Sequence, residues 1–174
     1  MTHKIILLGA NGSGKSTLGC ELAHVLNVPH FDVEDYYFYK TNIPYTTERP
    51  WKNRNQMLLD DMRSHASYVV SGDVSGWSEE FLTAFNLAVY LSAPVDVRMK
   101  RIENREFARW GDRVLENGDM YESQMKFRGF AATRDISVLE KAVLKYSCSA
   151  LYFDSTEDYC VTAARVIERL EGAN

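Results

Sequence analysis

The chain has 174 residues, a formal net charge of −4, and 45% hydrophobic against 25% charged side chains. That suits one α/β domain with a sizeable core, and the acidic balance argues against a broad nucleic-acid surface. The 3 cysteines, Cys20, Cys148 and Cys160, show no metal-ligand spacing and read as reduced thiols, and no apolar run approaches the ~18 residues of a membrane span.

Lys4-Ile5-Ile6-Leu7-Leu8 reads as a buried strand, and Gly9-Ala10-Asn11-Gly12-Ser13-Gly14-Lys15-Ser16-Thr17 follows it. Polar Asn11 and Lys15 come too soon for a signal peptide, so the expectation is a cytoplasmic protein. Two glycines bracket four residues before Lys15 and Ser16, which is the spacing of a phosphate-binding loop between strand and helix. Residues without a β-carbon let backbone N–H groups close on an anion, and the helix start adds its own N–H groups and dipole. Gly9, Asn11, Gly12, Ser13, Gly14, Lys15, Ser16 and Thr17 are therefore the nucleotide-binding residues, with Lys15 on the β- and γ-phosphates and Ser16 on Mg²⁺.

Leu18, Leu22, Val25 and Leu26 continue a helix over 15–26. His30-Phe31 is a short strand delivering Asp32, Glu34 and Asp35 to the rim where parallel sheets bind ligands. Such carboxylates serve as a base toward a substrate hydroxyl or as holders of Mg²⁺ water. Asp35 is the first choice for base, Asp32 for the metal, and Glu34 a substrate contact. Residues 40–50 hold two prolines and no periodicity, which predicts an ordered loop over the rim. Trp51, Leu58, Met62 and Ala66 mark the next helix, with Arg49, Lys52 and Arg54 near its start as possible substrate contacts.

Tyr68-Val69-Val70-Ser71 is a buried strand. Ser71, Gly72 and Trp77 beyond it are candidate substrate contacts, and Asp73 is a further candidate for Mg²⁺ water. The spacing predicts a short helix over 77–85 and a strand over 87–91. A long helix then starts at Pro94 and carries Arg98, Arg101, Arg105 and Arg109 on one face, beside an apolar stripe of Val95, Met99 and Ile102. Guanidinium forks suit phosphate, so Arg105, Arg109 and Arg113 are the catalytic arginines of a lid over about 105–120. Arg128 and Arg134 are lesser phosphate candidates. Helices follow over 120–134, with Met125, Phe127, Phe130 and Ala131 as core, and over 137–146. A fifth strand spans 150–153. Ser155 or Thr156 caps the last helix, whose apolar stripe is Val161, Ala164, Ile167 and Leu170.

With these parts assembled, the chain resembles the adenylate kinase-like P-loop kinases, which include nucleoside monophosphate kinases and shikimate kinases. Phe31-Asp32-Val33-Glu34 is similar to the shikimate kinase F-x-D-x-D pattern, offset and with Glu for one Asp. Nearly the whole chain resembles a bacterial AAA-type group carrying D-D-Y-[FY], T-x-x-R, S-G-x-x-x-G-W, R-[FW]-G-[DN]-R and G-G-D-M. Here these read Glu34-Asp35-Tyr36-Tyr37, Thr46-Thr47-Glu48-Arg49, Ser71 through Trp77, Arg109-Trp110-Gly111-Asp112-Arg113 and Asn117-Gly118-Asp119-Met120, with Glu34 and Asn117 departing from the pattern. The resemblance implies a P-loop NTPase fold, three-layer α/β/α over a five-stranded parallel sheet, in a single domain over 1–174. It implies ATP use and leaves the acceptor open, while Mg²⁺ is the expectation from Ser16 and the rim carboxylates.

The expected function is an ATP-dependent kinase acting on a hydroxyl of a small molecule such as a nucleoside, sugar or cyclitol. The alternatives are a nucleoside monophosphate kinase and a nucleotide-binding switch, for which no guanine-reading N-K-x-D is present. A polynucleotide end kinase is disfavoured by the net charge.

Overall fold

A computed structural model describes residues 2–172. Its centre is β1, Lys4–Gly9, flanked by β3, Tyr68–Ser71, and β4, Leu87–Ser92. β2, His30–Asp32, and β5, Ser149–Asp154, form the edges, giving a wholly parallel sheet ordered β2-β3-β1-β4-β5. Ile5, Ile6, Leu7 and Leu8 are all fully buried. A parallel strand covered on both faces needs such an unbroken apolar run.

Alternate residues feed two cores. Ile6 and Leu8 pack with Tyr36 of α2, Val33–Tyr37, with Leu58 and Met62 of α3, Trp51–Arg63, and with Leu139 of α6, Ser137–Val143. Ile5 and Leu7 pack with Leu18 and Leu22 of α1, Lys15–Leu26, and with Ala163 and Val166 of α7, Tyr159–Glu171. The three-layer expectation is met. α4, Val95–Trp110, and α5, Tyr121–Thr133, form an arm over the strands' carboxyl ends, joined by a 3-10 turn at Gly111–Val114. Glu106 of α4, 1% exposed as a side chain, is paired through Oε2 with both Nε and Nη2 of Arg128 of α5, at 2.7 and 2.6 Å. That pair holds the two helices together.

Several local expectations are corrected. Residues 79–83 form a 3-10 turn rather than a helix over 77–85; Phe81 and Phe85 are both buried, but Ser78 at the start makes no capping hydrogen bond to begin a longer helix. Met125 and Phe130 are exposed rather than core, since α5 buries only Gln124 and Ala131. On α4 the buried line is Arg98, Ile102 and Glu106, while Val95 is exposed. On α7 the buried stripe is Thr162, Ala163 and Val166, with Val161 outside. The cap of α7 is Asp158, whose carboxylate accepts from the Cys160 N–H at 2.7 Å, because the turn after β5 runs longer than expected. Trp51 lies on the solvent side of α3, and Asn55 is buried in that helix, donating to the Trp77 carbonyl at 2.8 Å.

Candidate active site

The loop after β1 turns through φ 142° at Gly9, 80° at Gly12 and 91° at Gly14, values that side chains resist. At Gly12 a β-carbon would also lie 2.5 Å from the Arg98 carbonyl oxygen, so α4 rests directly on the loop. α1 begins at Lys15, and its free N–H groups face the concavity. Ser13 is fully buried, and its Oγ has no hydrogen-bond partner among the described residues. A buried hydroxyl left open inside an N–H nest fits a phosphate oxygen.

Lys15 Nζ folds back to donate to the Ala10 carbonyl at 3.0 Å. Burial pulls its pKa from 10.5 down to about 8, against the opposing pull of Glu34 and Asp32. Ser16 Oγ donates to Asp32 Oδ2 at 2.5 Å, so these two oxygens sit together at the loop's mouth. Asp32 also caps α2 by accepting the Glu34 N–H at 3.1 Å. A hydroxyl and a carboxylate side by side are the hard oxygen donors that Mg²⁺ takes alongside phosphate. The residues present fit both ATP and the metal.

Three cavities meet over this loop. The first, about 430 Å³, runs between α1, α4 and the turn after β5, past Thr17, Arg101, Ser155 and Asp158. Arg101 is fixed there, donating to the Ser155 carbonyl at 2.6 Å and to its hydroxyl at 3.2 Å. The second, about 280 Å³, is the phosphate cavity, lined by Lys15, Ser16, Asp32, Glu34, Arg105 and Arg109 among others. The third, about 480 Å³, opens between α2, the loop after it and the α4–α5 arm. Arg105 lines all three, and Glu34 lines the second and third.

Not every residue singled out in the sequence reaches this cleft. Ser71 and Gly72 line the phosphate cavity, as does Asp73, whose Oδ1 accepts from the Tyr146 hydroxyl and the Ser75 N–H, both at 2.9 Å. Asp35 is exposed and lines neither the second nor the third cavity. One helical step separates it from Glu34, which faces inward. Burial, then Asp32, raise the Glu34 pKa, while Arg105, Lys15 and Arg109 oppose that rise. Arg113 stands off the cleft, bonded to Asp119 at 2.8 and 2.9 Å and to the Asn42 carbonyl at 3.1 Å. Trp77 lines none of the three cavities and packs on Phe81 and Tyr37. Arg49 braces the loop by donating to the Tyr36 and Phe38 carbonyls, and Arg54 stacks over Tyr37. Arg98 is 4% exposed and donates to the Asn11 carbonyl at 3.2 Å and the Ala131 carbonyl at 3.0 Å. Arg134 does reach the site, where it donates to Asn11 Oδ1 at 3.3 Å. The third cavity was missed, because its aromatic walls come from segments about seventy residues apart that share no periodic pattern.

A parallel five-stranded sheet, a phosphate loop, a rim carboxylate and an arginine-bearing arm define a small P-loop kinase. The AAA domain family profile matches residues 5–127, and the chain belongs to that family. It is 35% identical over 140 residues to the uncharacterized protein YqaC of Bacillus subtilis, covering 80% of this chain and 77% of that one. It is 32% identical over 112 residues to shikimate kinase 2 of Syntrophotalea carbinolica, covering 59% of this chain and 65% of that enzyme, just under two thirds of its length. Among solved structures, shikimate kinase from Bacteroides thetaiotaomicron superposes with a TM-score of 0.59 at 22% identity, over 97% of this chain and 98% of that one, which speaks for the fold alone.

Proposed function

We propose that this kinase transfers the γ-phosphoryl group of ATP to a hydroxyl of a small molecule. The observation that carries the reading is the wall shared by the second and third cavities, where Glu34 and Arg105 stand together. Donor and acceptor would meet across that wall, and phosphoryl transfer asks mainly for such positioning.

In this reading Lys15 and the loop N–H groups hold the donor phosphates. Ser16 and Asp32 would hold Mg²⁺, which when bound would offset the charge of the donor phosphates. Glu34 orients the acceptor hydroxyl and takes its proton as the oxygen attacks phosphorus. The bond from phosphorus to the bridging β–γ oxygen breaks, and ADP leaves. The raised pKa of Glu34 makes it a better proton acceptor than an ordinary carboxylate. Arg105 and Arg109 stabilise the transferring charge, and Arg113 joins them as the arm closes and excludes water. An acceptor phosphate would face Glu34 across the same wall, a like-charge approach that disfavours nucleoside monophosphates.

Incubation with MgATP and a metabolite extract, read by mass spectrometry, tests the proposal. A new phosphate ester of a hydroxyl compound is expected. Conversion of nucleoside monophosphates alone, or ATP hydrolysis with no phosphorylated product, overturns it.

A further inference from the structure

Resting on that reading, we infer that the hydroxyl acceptor is a nucleoside, with its base stacked in the third cavity and its edge read by Gln124. The cavity's volume, about 480 Å³, suits a small organic ligand. Six of its lining residues are aromatic and come from two sides. Tyr37, Phe38 and Tyr45 belong to α2 and the loop after it, and Trp110, Phe127 and Phe130 to the arm. Tyr45 closes one end, with ring centroids 5.6 Å from Phe38 and 6.3 Å from Trp110. Tyr45 and Phe130 remain 38% and 55% exposed, so this aromatic surface has no full partner within the fold.

Aromatic walls on two sides favour a flat unsaturated ring over a puckered one covered in hydroxyls. A sugar or cyclitol needs a ring of hydrogen-bonding groups, whereas a base needs π faces and one polar edge. The polar edge is available. Gln124 is 6% exposed, points from α5 into this cavity, and carries donor and acceptor on one amide. Amide pairs of that kind match the adjacent donor and acceptor atoms of a nucleobase. A carboxylate-bearing acceptor would need a cation at the far end. The cations lining the cavity, Arg105 and Arg134, both also line the phosphate cavity, and Arg134 is engaged with Asn11. Away from the phosphate cavity the lining therefore offers no further cation, its remaining charged residue being Glu48, and the sugar spans from the base to Glu34. Transfer converts a sugar hydroxyl and ATP into a nucleoside monophosphate and ADP, with the hydroxyl proton passing to Glu34 and then to water.

The test offers the full chain, with MgATP, a panel of nucleosides, shikimate, glucose, myo-inositol and nucleoside monophosphates, with ADP release and product mass as readouts. Calorimetry measures nucleoside binding to the ADP-bound protein. Phosphorylation of at least one nucleoside, with kcat/KM on the order of a hundredfold above the polyols, is expected. Phe127→Ala should raise the nucleoside KM about tenfold while kcat stays within about threefold, as loss of a stacking face predicts. Gln124→Leu should change the ranking of nucleosides by about tenfold, and an equal loss on all of them overturns the edge-reading role. Phosphorylation of shikimate or a polyol without any nucleoside overturns this inference and leaves the hydroxyl-kinase reading standing. Phosphorylation of nucleoside monophosphates alone overturns both. Absence of nucleoside binding at millimolar concentration overturns the inference whatever else is phosphorylated.

Discussion

Lys15 makes nucleotide affinity depend on pH in a direction the structure sets. Its pKa in the open cleft is about 8 against an ordinary 10.5, chiefly from burial. At ~1.4 kcal/mol per pH unit, the cleft disfavours the ammonium by ~3 kcal/mol. Phosphates beside it reverse much of that penalty, so Lys15 takes up a proton when nucleotide binds above pH 8. Affinity is then flat from about pH 7 to 8 and falls up to about tenfold per pH unit from there toward 10. The unliganded fold behaves oppositely. Between 8 and 10.5 the unfolded chain holds the Lys15 proton and the folded chain does not, so stability from this group rises with pH. Calorimetric titration with MgADP from pH 7 to 9.5, in buffers of different ionisation enthalpy, measures both the affinity and the proton uptake. Phosphates are fully ionised across that range, their second pKa being about 6. Lys15→Ala should bind more weakly, show a flat profile and lose turnover. A wild-type dissociation constant that stays within about twofold from pH 7.5 to 9.5, with no proton uptake, refutes the reasoning.

Three further outcomes are expected. Glu34→Gln should lower kcat by about a hundredfold or more, while Asp35→Asn stays within about threefold; steady-state rates on the identified acceptor decide, and the reverse order restores Asp35 as base. Arg105→Ala should lower kcat by on the order of 10³, and Arg113→Ala by less because its guanidinium is already paired with Asp119; equal, small losses at both remove the arm from the chemistry. Arg128→Leu strands the buried Glu106 carboxylate, a change that costs about 3 kcal/mol and lowers Tm by about 10 °C in a thermal melt; a drop under about 3 °C shows that Glu106 finds another partner.

The phosphate loop was legible because its residues are contiguous and their spacing is set by the anion they wrap. Asp32 was legible too, since a strand's carboxyl end must deliver its next residue to the rim. The choice between Glu34 and Asp35 was not. α2 spans only Val33–Tyr37, too short for a periodic stripe to tell its inward face from its outward one. Arg98 shares a helix face with Arg101, Arg105 and Arg109 by spacing, but it lies on the buried line with Ile102 and Glu106. Spacing puts a residue on a helix face without saying whether that face meets solvent, ligand or backbone carbonyls. The aromatic cavity depends on contact between the loop near Tyr45 and the arm near Trp110, a distance along the chain that no local pattern encodes.

The position of Arg98 has a mechanical consequence. Its guanidinium clamps the root of the arm, joining the start of α4 to the end of α5, and the same group grips the Asn11 carbonyl of the phosphate loop. The arm is thus anchored at its root to the loop that wraps the phosphates, with one guanidinium common to both. Arg98→Leu would release that anchor, and a rise in ATP hydrolysis without acceptor is the outcome expected from the arm closure proposed above.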